Sequence, residues 1–336
     1  MLSPKHLHKM LVQLGMAVKR PAQVTRIAAS EVRMRLGLPT LRSVEFQVTH
    51  GCNLDCPFCY AADIMKAPNR KGNMSLEKVR SVFRECYDLG MIHVNITGGE
   101  PLLRKDIYDV VDSVPKSVVV SLVTNSSLLS KQVIDDLKAA GLSTLQMSYG
   151  SNYTDFDREL ARYCVQSGIS VTLSIVNVIE EREFNQKAMD MAIEDGFNVL
   201  YNYPMRFNNS GLDQEFYWAH RDKPMVREDN MFWSGRNVCP AGLTKIYITN
   251  DGEVSACDRI HDFVGDLYES SVEELWRTMR EKLKGRPSYC LLETDAEEWR
   301  NNNQMTGKDF AVANIGAEGD PFNVLAEPSI EPVAAE

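Results

Sequence analysis

The 336-residue sequence contains no run that approaches the roughly 18 consecutive apolar residues needed by a membrane-spanning helix. Its N-terminus also lacks a continuous apolar stretch followed by a small-residue cleavage site, the pattern of a secretory signal. Basic residues are in deficit, since 37 Lys and Arg face 46 Asp and Glu and leave a net charge of -9. This balance does not indicate a nucleic-acid partner. We therefore expect a cytoplasmic protein that does not bind nucleic acid.

Cysteine, by contrast, is more abundant than packing in a reduced protein requires. Three of the eight cysteines crowd between residues 52 and 59, and three more follow after residue 238. In a reducing compartment, clustered cysteines bind metal more often than they form disulfides. The remaining two, Cys86 and Cys164, stand among apolar neighbours in predicted helices and are expected to be buried packing residues.

From residue 43 to about residue 210, β-branched runs alternate with helical segments, and glycine follows most of the predicted helices. This rhythm is typical of βα units around a parallel sheet. The predicted strands are Val44–Val48, His93–Thr97, Val118–Thr124, Thr144–Ser148, Val171–Val178 and Asn198–Pro204. The predicted helices are Ser75–Leu89, Lys105–Ser113, Lys131–Ala140, Asp155–Ser167 and Glu183–Asp195. Six strands are too few to close an eight-stranded barrel. The sequence therefore predicts an α/β fold, a partial (β/α)6 TIM-like barrel.

After residue 210 the rhythm breaks. Lys245–Thr249 and Glu253–Ala256 flank Asn250-Asp251-Gly252 and predict a tight β-hairpin, with a helix to follow at Val272–Lys284. Beyond Lys308 there is no further Lys or Arg, and the acidic C-terminal segment is expected to be disordered. The expected parts are a basic amphipathic helical lead-in at 1–42, the partial barrel at 43–210, a small α+β domain at 211–304 and the acidic tail at 305–336.

Residues 1–22 of the lead-in carry an apolar stripe of Leu7, Leu11, Leu14 and Val18, with lysines and an arginine on either side. Such a helix can lie on an anionic membrane surface as a peripheral contact. The commoner role of an amphipathic segment in a soluble protein is packing against the rest of the fold. The second interpretation is preferred, because no lipidation signal accompanies the stripe.

The first cysteine group occupies residues 52–59, with the sequence CNLDCPFC, directly after the first predicted strand. Three thiolates on one short loop suit an iron–sulfur cluster. Zinc is the alternative, but a closed structural zinc site needs four ligands, and His50 is the nearest candidate for the fourth. Packing of three cysteines in a core is a weaker interpretation, because Asp55 and Pro57 indicate a loop.

A second motif, Thr97-Gly98-Gly99-Glu100-Pro101, follows the second predicted strand. Together with the Cys-x3-Cys-x2-Cys spacing of Cys52, Cys56 and Cys59, it makes the chain resemble the radical S-adenosylmethionine superfamily over roughly residues 43–210. Two independent motifs at the ends of the right strands make this resemblance specific.

The resemblance implies that the three cysteines bind a [4Fe-4S] cluster and leave one iron open to the amino and carboxylate groups of S-adenosylmethionine. Reductive cleavage of this cofactor then gives a 5'-deoxyadenosyl radical, which abstracts hydrogen from a substrate. Gly98 and Gly99 are expected to let the backbone approach the methionine part of the cofactor, and Glu100 to accept a hydrogen bond from its amine. The alternative for this motif is a plain strand-to-helix turn.

Three further cofactor contacts are implied by position alone. Phe58 corresponds to a residue near the adenine, while Asn125 and Ser148 end the third and fourth predicted strands. The family pattern after the fourth strand is Ser-Leu-Asp-Gly, whereas this chain has Ser148-Tyr149-Gly150 and lacks the aspartate. For Asn125 and Ser148, capping of a strand end is an equal alternative.

The second cysteine group, Cys239, Cys257 and Cys290, surrounds the predicted hairpin. Its spacing Cys-x12-Gly-x4-Cys resembles the start of the SPASM and twitch domains, which hold auxiliary iron–sulfur clusters in related enzymes. This resemblance implies one auxiliary [4Fe-4S] cluster, its fourth site taken by Asp258, His261, water or substrate. The alternative is a degenerate domain in which Cys290 is an unrelated thiol.

The predicted function is that of a radical S-adenosylmethionine enzyme in biosynthesis. Its substrate is expected to be a small metabolite, a sugar- or nucleotide-like compound or a lipid. Maturation of a ribosomally synthesised peptide is the alternative, ranked lower because the lead-in is short for a peptide-recognition domain. A second alternative is a non-catalytic iron–sulfur or zinc-binding protein, against which the intact Gly-Gly-Glu-Pro motif argues. The expected electron donor is of the flavodoxin or ferredoxin type.

Overall fold

The structure is a computed structural model that describes residues 20–56, 59, 61, 72–202, 213–220, 223, 225–228, 240–258 and 262–283. Several of the residues singled out above lie outside this set: Phe58, Cys239, His261, Cys290, the stripe at residues 7–18 and the acidic tail at 305–336. The predictions made for them stay predictions.

Ten strands and eight α-helices make up the described part of the chain. The strands are β1 Ser43–Gln47, β2 His93–Thr97, β3 Val119–Thr124, β4 Thr144–Ser148, β5 Ser170–Val176, β6 Asn198–Asn202, β7 Val226–Glu228, β8 Lys245–Ile248, β9 Glu253–Ser255 and β10 Gly265–Asp266. The helices are α1 Pro21–Arg35, α2 Leu76–Asp88, α3 Ile107–Asp112, α4 Lys131–Ala140, α5 Arg158–Gln166, α6 Arg182–Asp195, α7 Gln214–His220 and α8 Val272–Lys282. Single 3-10 turns lie at Pro101–Leu103 and Ile179–Glu181.

All ten strands form one sheet in the order β10-β9-β8-β1-β2-β3-β4-β5-β6-β7. The strands from β1 to β6 pair in parallel with their neighbours, which confirms the predicted α/β partial barrel. Three features were not predicted: β7 extends the parallel array beyond β6, β8 pairs in parallel with β1, and β10 pairs antiparallel with β9. The predicted hairpin exists, since β8 and β9 are antiparallel, but it continues the barrel sheet at β1.

Local signals fix where the helices begin and end. The Ser75 hydroxyl accepts a hydrogen bond from the backbone N–H of Lys78 at 3.2 Å and caps the start of α2. Ser271 and Glu274 form a reciprocal capping box at the start of α8. At the end of α4, Gly141 has a φ of 113°, a backbone conformation that glycine adopts without steric cost.

Helix α1 packs across the amino ends of the first strands. The Gln23 amide donates to the carbonyl of Val118, just before β3, at 3.0 Å, and the Arg26 guanidinium donates to the carbonyl of Met91, just before β2, at 2.7 Å. Residues 20–35 of the lead-in therefore belong to the fold. No helix in the described ranges is long and apolar enough to cross a membrane.

Candidate cofactor site at the carboxyl ends of the first strands

The three cysteines of the first group lie directly beyond the carboxyl end of β1. Cys52, Cys56 and Cys59 are all half-buried, and none of them forms a disulfide. The backbone N–H of Cys59 donates to the carbonyl of Cys56 at 3.1 Å, so these two residues share a tight turn. The N–H of Leu54 points at the sulfur of Cys52 at 3.5 Å. This arrangement places three thiols on one short loop, as predicted.

The loop after β2 is bound to this cysteine loop through the backbone. The N–H of Gly99 donates to the carbonyl of Thr49 at 2.9 Å, and the N–H of Glu100 donates to the carbonyl of Gly51 at 2.8 Å. A Cβ atom on Gly99 would lie 2.8 Å from the Cβ of Cys52 and 2.6 Å from the carbonyl carbon of Gly51. Glycine at position 99 is therefore required by packing between the two loops, a reason that the sequence did not disclose.

Glu100 is fully buried and joins the ends of β2 and β3. One carboxylate oxygen accepts hydrogen bonds from the Thr124 hydroxyl at 2.8 Å and from the Leu102 N–H at 3.1 Å. The other oxygen accepts from the Asn125 N–H at 2.8 Å. Burial raises the pKa of this carboxyl, while the bonds from Asn125, Leu102 and Thr124 act in the opposite direction. The structure thus gives Glu100 three protein donors, and its contact with the cofactor amine stays a prediction.

Asn125 connects the end of β3 to the cysteine loop. Its amide nitrogen donates to the side-chain oxygen of Asn53 at 2.9 Å, and Asn53 in turn donates to the hydroxyl of Ser127 at 2.7 Å. The next residue, Ser126, has a φ of 69°, which is uncommon for a residue with a side chain. The turn after β3 is therefore shaped to hold Asn53, which lies between two of the cysteines.

Ser148, at the end of β4, also lies at this site, and it comes with a residue that the sequence did not reveal. The Tyr153 hydroxyl hydrogen-bonds both Ser148 and the thiol of Cys56. Burial, followed by the charge of Cys56, raises the pKa of this tyrosine, so it remains a neutral donor. Four strand ends, β1 to β4, therefore contribute residues around the cysteine loop.

The chemistry of the donor set fits an iron–sulfur cluster. Burial and the neighbouring Cys59 and Cys52 raise the pKa of Cys56, so a thiolate at this position would be costly without a cation to neutralise it. Among the described residues, no three His, Cys, Asp or Glu side chains converge on a common point as ligands of one ion. In a [4Fe-4S] cluster each cysteine thiolate binds its own iron.

The auxiliary site is represented by Cys257, which follows β9. Its thiol points at a carboxylate oxygen of Asp258 at 3.3 Å, and the same oxygen lies 3.2 Å from the ammonium of Lys245. Asp258, one of the candidates for a fourth ligand, is thus engaged by a buried lysine. Whether Cys257 acts together with Cys239 and Cys290 stays a prediction.

A polar network lines the face of the sheet that is turned away from the helices. The carboxylate of Glu45 on β1 accepts from the Asn95 amide at 2.7 Å and lies 3.6 Å from the Lys245 ammonium. At the amino end of β2, both ring nitrogens of His93 lie within hydrogen-bond distance of serine hydroxyls, those of Ser43 at 3.0 Å and Ser121 at 2.9 Å. Burial, with a smaller effect from Lys245, lowers the pKa of this histidine to about 3.

Two family profiles match the chain. The Radical SAM superfamily profile matches residues 46–207, and the SPASM profile, an iron-sulfur cluster-binding domain, matches residues 239–297. The two ranges contain all six cysteines that the sequence singled out.

Among curated relatives, the chain is 36% identical over 290 residues to a probable GTP 3',8-cyclase of Methanosarcina mazei, covering 73% of this chain and 86% of that protein. It is 27% identical over 309 residues to an AdoMet-dependent heme synthase of Methanosarcina barkeri, covering 74% and 88%. Other similarities are partial: the match to the GTP 3',8-cyclase of Campylobacter lari, at 30% identity, covers 47% of this chain and 45% of that protein.

Two solved structures have a similar fold. One is Streptococcus suis SuiB bound to its precursor peptide SuiA, with a TM-score of 0.59, 16% identity and coverage of 75% of this chain and 69% of that chain. The other is anSMEcpe with bound AdoMet, with a TM-score of 0.56, 15% identity and coverage of 82% and 92%. With the cysteine loop and the match to the M. mazei protein, these findings show that the chain belongs to the radical S-adenosylmethionine superfamily, as a member with a SPASM domain.

Proposed function

We propose that this enzyme reductively cleaves S-adenosylmethionine at a [4Fe-4S] cluster held by Cys52, Cys56 and Cys59, and that the resulting 5'-deoxyadenosyl radical abstracts hydrogen from a biosynthetic substrate. The strongest support is that the Radical SAM superfamily profile spans residues 46–207, within which the cysteine loop is hydrogen-bonded to the backbone of Gly99 and Glu100. When bound, the cluster supplies the electron that breaks the carbon–sulfur bond of the cofactor.

The protein's own residues hold the site in place. Gly99 and Glu100 fix the backbone of the cysteine loop, and Asn125 fixes the side chain of Asn53 within it. The Tyr153 hydroxyl reaches Cys56 from the loop after β4 and donates to its sulfur. Hydrogen bonds to ligand sulfur tune the reduction potential of iron–sulfur clusters, so Tyr153 belongs to the electronic environment of the proposed cluster.

Two substrate classes remain candidates. A small biosynthetic metabolite is supported by the relatives, since the M. mazei and M. barkeri proteins are named as a GTP 3',8-cyclase and a heme synthase. A ribosomally made peptide is supported by the fold neighbour SuiB, whose structure contains a precursor peptide. The length of the lead-in is therefore no ground for ranking the peptide lower. A flavodoxin or ferredoxin is the proposed electron donor.

The test is cofactor cleavage by protein prepared without oxygen. Roughly eight irons per chain are expected if two four-iron clusters form. Replacing the three cysteines of the first group by Ala should remove about half of this iron and abolish 5'-deoxyadenosine formation. Cys164→Ala is the matched control, because Cys164 is a buried core residue of α5, and it should retain the iron content of the parent protein.

Stoichiometric zinc without acid-labile sulfide in the parent protein would contradict the proposal. The auxiliary cluster is tested separately by replacing Cys239, Cys257 and Cys290 together. This variant should retain about half of the iron. It should still cleave the cofactor, although slowly, and it should no longer convert the substrate. Full retention of iron would show that these three cysteines do not bind a cluster.

A further inference from the structure

The inference concerns Gln47, the last residue of β1, and begins with the direction in which its side chain points. Side chains alternate between the two faces of a strand. Phe46 packs against Phe83 of α2, with ring centroids 5.1 Å apart, and so occupies the helix-covered outer face. Gln47 therefore shares the inner face with Glu45, whose contacts with Asn95 and Lys245 confirm that direction.

Polar side chains near Gln47 on this face have hydrogen-bond or ion-pair partners. Glu45 is bonded to Asn95, and Asn95 in turn accepts a hydrogen bond from the Gln146 amide of β4 at 3.3 Å. Gln47 differs from them: it is 1% exposed, yet neither its amide nitrogen nor its amide oxygen has a hydrogen-bond partner in the described part of the chain. A buried amide without partners is destabilising, so natural proteins seldom keep one unless it has a use.

The position of Gln47 suggests that use. Gln47 pairs with Thr97 of β2, immediately before the Gly98–Gly99 turn, and precedes Cys52 by only a few residues. Its amide therefore lies on the inner wall, between the proposed cofactor site and the Glu45–Lys245 ion pair. Ligand-binding sites are concave and mostly apolar, with a few polar groups that fix the orientation of the ligand.

The chemistry of the wall restricts the ligand. A glutamine amide offers a donor and an acceptor side by side, and it is best matched by a neutral group with the complementary pair. The charged side chains that contact one another on this wall are Glu45, Lys245 and Asp258, so the one lysine is already paired with two carboxylates. Among the residues that the structure describes, these contacts therefore leave this wall no surplus of positive charge with which to hold a polyanion such as a triphosphate.

We infer that Gln47 is a specificity-determining residue that binds an uncharged amide- or lactam-type group of the substrate. This inference rests on the proposed function. The donor and acceptor of the Gln47 amide pair with the acceptor and donor of that group and orient the substrate toward the cofactor. Gln47 takes no part in proton or electron transfer.

The first measurement is thermal stability without substrate, on anaerobic holoprotein. Gln47→Met replaces an unpartnered amide by an apolar side chain of similar length, so its Tm should equal or exceed that of the parent. Gln146→Met is the matched control, because it removes an amide of the same face that has a partner, and its Tm should be lower. A Gln47→Met variant that loses as much as Gln146→Met would show that the amide already has partners and would overturn the inference.

The second measurement is binding of a compact neutral probe, cyclo(Gly-Gly), followed by ligand-detected NMR, with its N,N'-dimethyl derivative as the comparison. The parent protein should bind cyclo(Gly-Gly) more tightly than the derivative, which lacks the N–H donors. Gln47→Met should weaken cyclo(Gly-Gly) binding by roughly tenfold to a hundredfold, the effect of two lost hydrogen bonds. No binding by the parent, or equal binding by Gln47→Met, would overturn the inference.

These readouts do not depend on cofactor cleavage. If the parent protein binds the amide probe but never forms 5'-deoxyadenosine, the proposed function fails and the amide site stands. If the parent cleaves the cofactor but does not distinguish the two probes, the proposed function stands and the role of Gln47 fails.

Discussion

The two faces of β1 are equally buried and chemically opposite. Val44 and Phe46 on the outer face are fully buried apolar side chains that pack beneath the helices. Glu45 and Gln47 on the inner face are just as inaccessible, yet one is a carboxylate and the other is an amide with no hydrogen-bond partner in the part of the chain that the structure describes. The outer face supplies hydrophobic stabilisation, whereas the inner face retains polar groups at a cost in stability. This contrast indicates that the inner wall is built for a ligand and the outer wall for the fold.

The largest difference in stability between the two faces is expected at Phe46. Phe46→Ala should lower the free energy of unfolding by about 3–5 kcal/mol, because it removes a buried ring and leaves a cavity beside Phe83. Its counterpart on the opposite face is Gln47→Met, for which no loss is expected. Denaturant unfolding of both variants, under the same anaerobic conditions, measures the difference. Similar losses in the two variants would mean that the faces do not divide fold from function as described.

A smaller effect is expected at Glu100, a buried polar residue whose oxygens do have donors. In Glu100→Gln an NH2 group must face at least one of the donors now bonded to the carboxylate, so about 1.5–3 kcal/mol of stability should be lost. Glu77→Gln, on the exposed first turn of α2, is the control and should change stability by only a few tenths of a kcal/mol. If Glu100→Gln is as stable as the control, the carboxylate does not tie β2 to β3.

The smallest effect on stability at neutral pH is expected from the titration of His93, and this effect increases as the pH is lowered. The folded-state pKa is about 3, whereas an unfolded histidine has a pKa near 6.5. Between these values the unfolded chain binds the extra proton, so the stability contributed by the neutral imidazole is complete above about pH 6.5 and decreases as the pH falls toward 3. Lowering the pH from 7 to 5 should therefore cost about 2 kcal/mol.

Urea unfolding of the parent and of His93→Gln at several values between pH 7 and pH 5 isolates this contribution. The variant removes the titrating ring but keeps a polar side chain between Ser43 and Ser121. Its stability should fall less steeply with acid than that of the parent. Parallel pH profiles would show that His93 is protonated without penalty and that the inner wall is open to water.

The sequence predicted the repeating elements well because their signals are local. Alternating β-branched runs place β1 to β6 within a few residues, and glycines such as Gly141 and Gly196, both with positive φ, mark where helices end. The cysteine loop and the Gly-Gly-Glu-Pro turn were found for the same reason, since each is a contiguous motif at the end of a strand.

What the sequence could not supply was contact between distant segments. The alternation in Val44-Glu45-Phe46-Gln47 is the pattern of a strand with one face in water, but in the structure both faces are buried. The sequence at residues 245–256 predicted the hairpin turn but not the pairing of β8 with β1, because the residues of a turn do not determine which other strand lies beside the hairpin. Tyr153 carries no motif of its own, and its role depends on its position beside Cys56.

The pairing of β8 with β1 has a consequence for how the chain is made. Ser43 and Lys245 are neighbours in the sheet, yet about two hundred residues separate them along the chain. During synthesis the ribosome completes β1 to β7 before β8 emerges, and throughout that interval one edge of β1 has no hydrogen-bonding partner. An unpaired strand edge is a template for association with other chains. Strand β8 therefore covers this edge of β1 late in synthesis, and a nascent chain stalled before residue 245 carries an open edge next to its cysteine loop.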